Sequence, residues 1–284
     1  MGIVLGAHHY GKAETRLFRI VRDDRRHVVR DLNVSTALTG DFSAAHLVGD
    51  QAHVLPTDTQ KNTVFAFAKS VGIAQIEDFA LTLARHFVDD VQPVTSAEVR
   101  IEEFAWERIA DHDHAFRRVG AEVRTTRVSV GAEGARVDSG VRDLVLLKST
   151  GSEFAGFLVD EYTTLPPTHD RVLATSLTAT WSYAAAAIER GADWATAYDA
   201  VRDVLLDRFA NVHSLALQQS LWEMGRAALE ARPDVASIEL VAPNIHHIAV
   251  DLGPFGLDNP REVFHVTDRP YGLIEVTVQR DGDD

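Results

Sequence analysis

Two different periods of apolar and polar residues run along this chain, and their order occurs twice. Stretches rich in β-branched residues, some with near-alternation, predict strands, because successive side chains of a strand point to opposite faces. Apolar residues three and four positions apart predict helices, as Phe79, Leu83 and Phe87 do on one face of a helix over 76–89. The predicted strands are 15–22, 27–38, 96–108, 115–130, 137–148, 170–184, 236–252 and 263–279, and the predicted helices are 59–70, 76–89, 194–210 and 215–231.

The repeated order is strand, strand, helix, helix, strand, strand, which predicts an α+β fold of two units, residues 1–140 and 141–284. In each unit we expect an antiparallel four-stranded sheet with two helices on one face. Long antiparallel strands leave edges with unpaired backbone groups, and other subunits can cover such edges. The apolar helix faces of the second half are Ala197, Val201, Val204, Leu205 and Phe209, and then Leu217, Leu221, Met224 and Ala228.

Composition narrows the class of protein. The 284 residues are 45% hydrophobic and 25% charged, which is typical of a globular protein. A net charge of −14 argues against binding to nucleic acid or to anionic membranes, since both need a basic surface. The absence of cysteine excludes disulfides, thiolate nucleophiles and Cys-ligated zinc. No window approaches the roughly 18 apolar residues of a membrane span, so we expect a soluble, cytoplasmic protein.

Several polar residues remain once the apolar faces are assigned. In PNIHHIAVDL, Asn244 and His246 would share one face of a strand and His247 would point the other way, which disfavours a shared metal. An ordinary half-buried histidine is the alternative for His246. Arg171 lies at a probable strand start, where Asp170 or Asp160 could pair with it. Residue types and spacing alone do not name a reaction.

The helix start VLPTDTQKNT is also ambiguous. Thr57 and Gln60 have the spacing of a capping box, in which the two side chains bond the free N–H groups of the first turn. The same short stretch also holds Asp58, Thr59 and Lys61, a density of polar groups that is compatible with a binding site.

Six blocks of sequence resemble the urate oxidase (uricase) family of the tunnelling fold. They are YGK at 10–12, PTDTQKNT at 56–63, LKSTGSEFAGF at 147–157, DEYTTLPPTHDRVLATSLTATW at 160–181, ALQQSLWEM at 216–224 and PNIHHIAVDL at 243–252. The resemblance implies two tunnelling-fold (T-fold) units per chain, dimers that close a barrel, and a homotetramer of two stacked barrels. It implies oxidation of urate by O₂ to 5-hydroxyisourate and H₂O₂ in purine catabolism, with no metal and no organic cofactor.

The resemblance also implies the groups that move protons. Lys12 of the YGK block and Thr57 would form a proton-transfer dyad, and His246 would continue the relay. Asn244, together with Thr57, would hold O₂ or water against one face of the urate ring. Thr57 and Asp58 would come from a neighbouring subunit, so that each site is shared.

The residues implied to bind urate lie mainly in the second half. Arg171 and Gln218 would grip the edge of the purine, and Phe154 would stack on its face. The backbone N–H groups of Asp58 and Leu217 would add contacts. If Thr57 relays a proton, we expect Asp58 or Thr59 to cap the helix and the Thr57 hydroxyl to point across a subunit boundary toward Lys12 of another chain.

Three alternatives stay open at this point. One is a tunnelling-fold enzyme acting on a pterin or a guanine nucleotide, which would need a zinc site made only of histidines because cysteine is absent. Another is a purine-binding or scaffold member of the fold without catalysis, which the presence of Lys12, Thr57 and His246 disfavours. The third is a carrier that binds small heterocyclic anions in general.

Overall fold

Strands and helices alternate along residues 2–281, the part of the chain that the structure, a computed structural model, describes. The strands are β1 (Tyr10–Val21), β2 (Val28–Gly40), β3 (Val94–Glu103), β4 (Trp106–Arg108), β5 (Phe116–Arg118), β6 (Val123–Gly131), β7 (Gly134–Lys148), β8 (Leu173–Tyr183), β9 (Val235–Pro243), β10 (His246–Ala249), β11 (Phe264–Thr267) and β12 (Leu273–Gln279). The helices are α1 (Ser43–Val48), α2 (Thr57–Ser70), α3 (Ile76–Asp90), α4 (Ala185–Arg190), α5 (Trp194–Asn211) and α6 (Leu217–Ala231), and Gly253–Phe255 forms a 3₁₀ turn.

The chain divides into two compact units. The first contains the residues up to Gly140 together with Ser182–Ala195, and the second contains Val141–Trp181 and the residues from Thr196 onward. The first unit therefore takes in a short segment from the second half of the chain. That 1–140 and 141–284 are two copies of one repeat stays a prediction.

The first unit is built on antiparallel strands in the order β1-β2-β3-β6, and it also contains the residues of β7 up to Gly140. Helix α3 packs on β3 and β6, and α2 packs on β1. The predicted apolar face of α3 is confirmed, because Phe79, Leu83 and Phe87 are each at most 2% exposed. Within the described residues, β1 pairs only with β2, so the other edge of β1 is open.

The second unit has the strand order β7-β8-β9-β12, with α6 packed on β9 and β12. The predicted face of α6 is buried: Leu221, Met224 and Ala228 are each at most 1% exposed. In the described chain, β12 pairs only with β9. The predicted α+β class with antiparallel strands is confirmed, and each unit ends in an open strand edge.

Some predicted element boundaries are wrong. The predicted strand 236–252 is divided into β9 and β10, and 263–279 into β11 and β12; β10 and β11 pair with each other as a separate hairpin. Pro270 lies in the second break, where it has no N–H to donate to a ladder. The predicted strands 96–108 and 115–130 are divided in the same way, and the short helices α1 and α4 were not predicted. Strand-like composition continues through these points, but backbone pairing does not.

No helix in the described chain is long and apolar enough to span a membrane.

Candidate active site

A cavity of about 560 Å³ in the second unit brings together the predicted ligand-binding residues of that unit. Its wall is formed by the loop between β7 and β8, the first turn of α6, the β9–β10 connection and the β10–β11 hairpin. The predicted residues that line it are Phe154, Arg171, Leu217, Gln218, Asn244 and His246.

Backbone hydrogen bonds shape the loop that carries Phe154 and Arg171. The N–H groups of Phe154 and Thr168 each donate to the other's carbonyl oxygen, both at 2.8 Å. The N–H of Arg171 donates to the carbonyl oxygen of Ser152 at 2.8 Å, and Ser152 is bridged to Ser214, just before α6. Because these bonds tie the two ends of the loop together, Phe154 and Arg171 are held side by side.

Arg171 has no acidic partner within residues 2–281, so the expected pairing with Asp170 or Asp160 is wrong. Asp170 pairs with Arg261 instead, with 3.3 Å between Nη1 and Oδ2. The guanidinium carbon of Arg171 lies 5.4 Å from the centroid of the Phe154 ring, and its Nε is buried without a hydrogen-bond partner. Burial lowers the pKa of Arg171, but an arginine stays charged at neutral pH. A partly buried, unpaired cation is suited to an anionic ligand.

The first turn of α6 adds neutral donors to the cavity. Leu217 is the first residue of the helix, so its N–H and that of Gln218 have no partner within the helix. Gln219 accepts a hydrogen bond from the N–H of Leu215 at 2.9 Å, which fixes how the chain enters the helix. The Gln218 side chain is exposed at the cavity wall. Free N–H groups at a helix start favour an anion.

Asn244 and His246 line the cavity from the segment that joins β9 to β10. The N–H of Asn244 donates to the carbonyl oxygen of Gly272 at 2.9 Å, and the N–H of Ile245 donates to that of Ala174 at 2.8 Å. His247 and Ile245 also line the cavity. His246 and His247 are consecutive residues of β10, so the expectation that their side chains take opposite faces stays a prediction.

Lys12 lies in the first unit, and the two residues before it, Tyr10 and Gly11, position it. The Tyr10 hydroxyl donates to the carbonyl oxygen of Leu55 at 3.0 Å, and burial raises the Tyr10 pKa, which keeps the group a donor. Gly11 allows β1 to approach β2 closely, since a Cβ there would lie 1.7 Å from the Thr36 carbonyl oxygen. The N–H of Lys12 donates to the Thr36 hydroxyl at 3.3 Å, and a β-bulge follows directly. Bulges re-aim side chains, often beside active sites.

The start of α2 differs from the predicted capping. The N-cap residue is Pro56, no side chain caps the helix, and Thr57 is the first helical residue. Gln60 does not reach back to the helix start as a capping box requires; it accepts a hydrogen bond from a buried hydroxyl on β2 at 2.7 Å. The prediction that Asp58 or Thr59 caps the helix is therefore wrong as well. Proline can precede a helix without a side-chain cap because its fixed φ suits the position.

Thr57 and Asp58 begin α2, and the charge of Lys12 acts on Asp58 in the same chain. The Asp58 carboxylate is bonded by Lys61 and Asn62, and its pKa is lowered mainly by Lys61, with a smaller contribution from the charge of Lys12. The charge of Lys12 therefore acts on the start of α2 in the same chain, and the approach of Thr57 to another chain's Lys12 stays a prediction. Among the described residues, the half-buried Thr57 side chain has no hydrogen-bond partner.

Sequence reasoning missed part of the cavity wall. Leu165, Ile248, Arg261 and Phe264 also line it. Arg261 has a positive φ of 64°, and it lies in a loop where Asn259 holds the backbone at both ends. An isolated basic residue in an irregular loop has no periodic signal, so only its tertiary contacts with Asp170 and Thr168 reveal it.

Within residues 2–281, no group of three or more His, Asp or Glu side chains is arranged to hold a metal ion. The all-histidine zinc site that the hydrolytic alternative would need has no counterpart in that part of the chain.

These features define a protein of the α+β class with a cavity suited to an anion that accepts hydrogen bonds. The sequence profile of the uricase family matches residues 8–129 and 137–275. A uricase from Arthrobacter globiformis is 51% identical over 280 residues, covering 99% of this chain and 91% of that protein. A uricase from Oryctolagus cuniculus is 34% identical over 281 residues, covering 95% and 93%.

Solved structures agree with the sequence comparisons. The crystal structure of uricase from Arthrobacter globiformis has a TM-score of 0.96 at 50% identity, covering 100% of this chain and 97% of that one. A crystal structure of a uricase from Bacillus fastidious has a TM-score of 0.84 at 25% identity, covering 97% and 94%. This chain therefore belongs to the uricase family.

Proposed function

We propose that this protein is a urate oxidase, which converts urate, O₂ and water into 5-hydroxyisourate and H₂O₂ in purine catabolism without a metal or organic cofactor. One observation carries the proposal. A chain that is 51% identical to a uricase over almost its whole length has an unpaired, partly buried arginine in a cavity lined by amide and backbone donors. That combination matches the shape, charge and hydrogen-bonding groups of urate.

The cavity in the second unit would bind the purine. Arg171 would direct its planar fork at an edge with oxygen and nitrogen acceptors, and this geometry suits arginine better than lysine. Gln218 offers a donor and an acceptor together, like the amide groups of the purine. The Phe154 ring would stack on the purine face, a contact worth about 0.5–1.5 kcal/mol beyond its area. The N–H of Leu217 at the helix start would add a donor to the ligand's negative charge.

Proton removal would prepare urate for O₂. Lys12, acting through the Thr57 hydroxyl, would take a proton from the ring, and His246 would carry protons onward. A doubly deprotonated urate is electron-rich and can give electrons to O₂ directly. Asn244, with Thr57, would hold O₂ or water over the ring, so that the protein contributes mainly proton transfer and positioning. The charge of Lys12 acts on Asp58, the residue directly after Thr57, and this supports the dyad.

We propose that the active enzyme is a homotetramer whose sites are shared between chains. The open edges of β1 and β12 support assembly into closed barrels, because exposed edges are commonly covered. Lys12, Thr57 and Asp58 of one chain would complete the cavity of a neighbouring chain. Asp58 would contribute its backbone N–H, which has no partner within α2. A cytoplasmic location stays a prediction.

The reaction is tested with metal-stripped protein and urate. Loss of the ultraviolet absorbance of urate should match O₂ consumption and H₂O₂ release, one for one. Protein denatured by heat is the control for uncatalysed oxidation. A folded tetramer that leaves urate unchanged would contradict the proposal, and activity that returns only with added metal would contradict its cofactor-free part.

Shared sites are tested by mixing two inactive variants, Thr57→Ala and Arg171→Ala, in one tetramer. If each site combines Thr57 from one chain with Arg171 from another, some sites in the mixture contain both wild-type residues and activity returns. A mixture of Arg171→Ala with Gln218→Ala is the matched control. Both residues line the cavity of their own chain, so every cavity in that mixture has one substitution and activity should not return. Mixed tetramers without any recovery would exclude sharing.

A further inference from the structure

Arg261 is a second arginine at the cavity, and it contacts the residue next to Arg171. Its Nη1 lies 3.3 Å from Oδ2 of Asp170, and its Nη2 donates to the carbonyl oxygen of Asp170 and, at 3.3 Å, to the Thr168 hydroxyl. The other oxygen of Asp170 accepts from the Thr150 hydroxyl at 2.8 Å. Both oxygens of this carboxylate are therefore occupied by groups other than the Arg171 guanidinium.

Neighbouring acidic and basic side chains pair elsewhere in this chain. Arg208 is bonded to Asp207, with 2.9 Å between Nη2 and Oδ2, and Arg142 is bonded to Asp143. The Asp170 carboxylate, directly before Arg171, could pair with the Arg171 guanidinium in the same way and neutralise its charge. In the described residues that pair is absent, and Asp170 is bonded to Arg261 instead.

We propose that Arg261 is a positioning residue that holds the Asp170 carboxylate away from Arg171 and so keeps the Arg171 guanidinium free for the anionic substrate. The proposal rests on the proposed function, since it takes urate as the ligand of this cavity. Arg261 acts through Asp170 and needs no contact with urate. Without Arg261, Oδ2 of Asp170 is released and competes with urate for Arg171.

The consequence is a selective loss of substrate affinity. In Arg261→Ala, KM for urate should rise about two- to fivefold, because coupling between partly exposed charges is modest. The value of kcat should stay within about twofold, since the proton-transfer groups are untouched. Arg261→Lys should recover part of the affinity, because an ammonium can pair with Asp170 but cannot form a fork.

A double-mutant cycle gives the decisive readout. Asparagine at 170 keeps an acceptor for Thr150 but carries no charge to compete for Arg171. Asp170→Asn should therefore restore KM in the Arg261→Ala background. If Arg261 bound urate directly, the double variant would keep the raised KM, and the proposal would be overturned. An unchanged KM in Arg261→Ala would overturn it too.

Two controls keep the test decisive. Arg208, like Arg261, is paired with an aspartate, Asp207, but it does not line the cavity. The KM of Arg208→Ala for urate should therefore equal that of the wild type. If Arg261→Ala unfolds, Arg261→Gln keeps a donor to the backbone while removing the charge, and the same cycle applies. Titration with xanthine, a planar purine analogue, measures affinity without turnover. Xanthine affinity should fall in Arg261→Ala and return in the double variant. If it does so while the wild type fails to oxidise urate, the oxidase proposal fails but the role of Arg261 stands.

Discussion

Replacement of Arg171 by methionine separates the residue's contribution to the ligand from its contribution to the fold. The arginine has no carboxylate partner in residues 2–281, its Nε is buried without a hydrogen bond, and its guanidinium carbon is 5.4 Å from the Phe154 ring centroid. Methionine is shorter but unbranched and flexible, so it can occupy the space of the arginine's aliphatic stem without a charge. Substrate affinity and stability should therefore change in opposite directions.

The loss of function is expected to be large. Two hydrogen bonds from a charged fork to urate, at about 1.5–3 kcal/mol each, amount to about 3–6 kcal/mol. At 1.4 kcal/mol per factor of ten, kcat/KM should fall about 10²- to 10⁴-fold.

The change in stability is expected to be small and favourable. Removing a buried donor without a partner should gain about 1–3 kcal/mol. Losing the contact with the Phe154 ring should cost about 0.5–1 kcal/mol. The net change is a gain of about 0–2.5 kcal/mol, so Tm should be unchanged or a few degrees higher.

The assay combines steady-state kinetics on urate with thermal unfolding of the same preparations. Arg208→Met, which removes a half-buried arginine paired with Asp207, is the control and should leave kcat/KM unchanged. A marked fall in Tm for Arg171→Met would refute the reasoning, because it would mean that the arginine makes stabilising contacts. Unchanged kinetics would refute its place in the binding site.

Three further predictions concern other parts of the molecule. Lys12→Met should lower kcat strongly while xanthine still binds; equal losses in both would make Lys12 a binding residue instead of a proton acceptor. Gly11→Ala should destabilise the first unit and lower kcat, because the added Cβ would collide with the backbone oxygen of Thr36; circular dichroism and kinetics measure the two effects, and a normal Tm would contradict the close approach. Hydrogen bonds from two histidines, chiefly His213, hold the pKa of Glu153 below its usual value, so its contribution to stability is complete above the unfolded pKa of about 4.3 and is lost as the pH falls through the lower folded pKa. Between about pH 3 and pH 6, Tm should fall less steeply with falling pH in Glu153→Gln than in the wild type. Identical slopes of Tm against pH would contradict the lowered pKa of Glu153.

The apolar faces of α3 and α6 could be predicted from the sequence because burial against a sheet selects apolar residues with the helical period. The breaks inside the predicted strands could not, since 236–252 keeps its strand-like composition while β10 pairs with β11 instead of continuing β9. Composition records which residues favour an extended backbone. It does not record which neighbour accepts each N–H.

For the site, the sequence by itself predicted the residues: Arg171, Gln218 and Asn244 stand in motifs that resemble the family, and all three line the same cavity. The tertiary structure decided what surrounds them. It decided that Asp170 pairs with Arg261 and leaves Arg171 without a carboxylate partner, and that the β10–β11 hairpin forms part of the cavity wall. The physical reason is that ion pairing and side-chain direction depend on which segments meet in space, and residues far apart in the chain, such as Asp170 and Arg261, carry no local sign that they will meet.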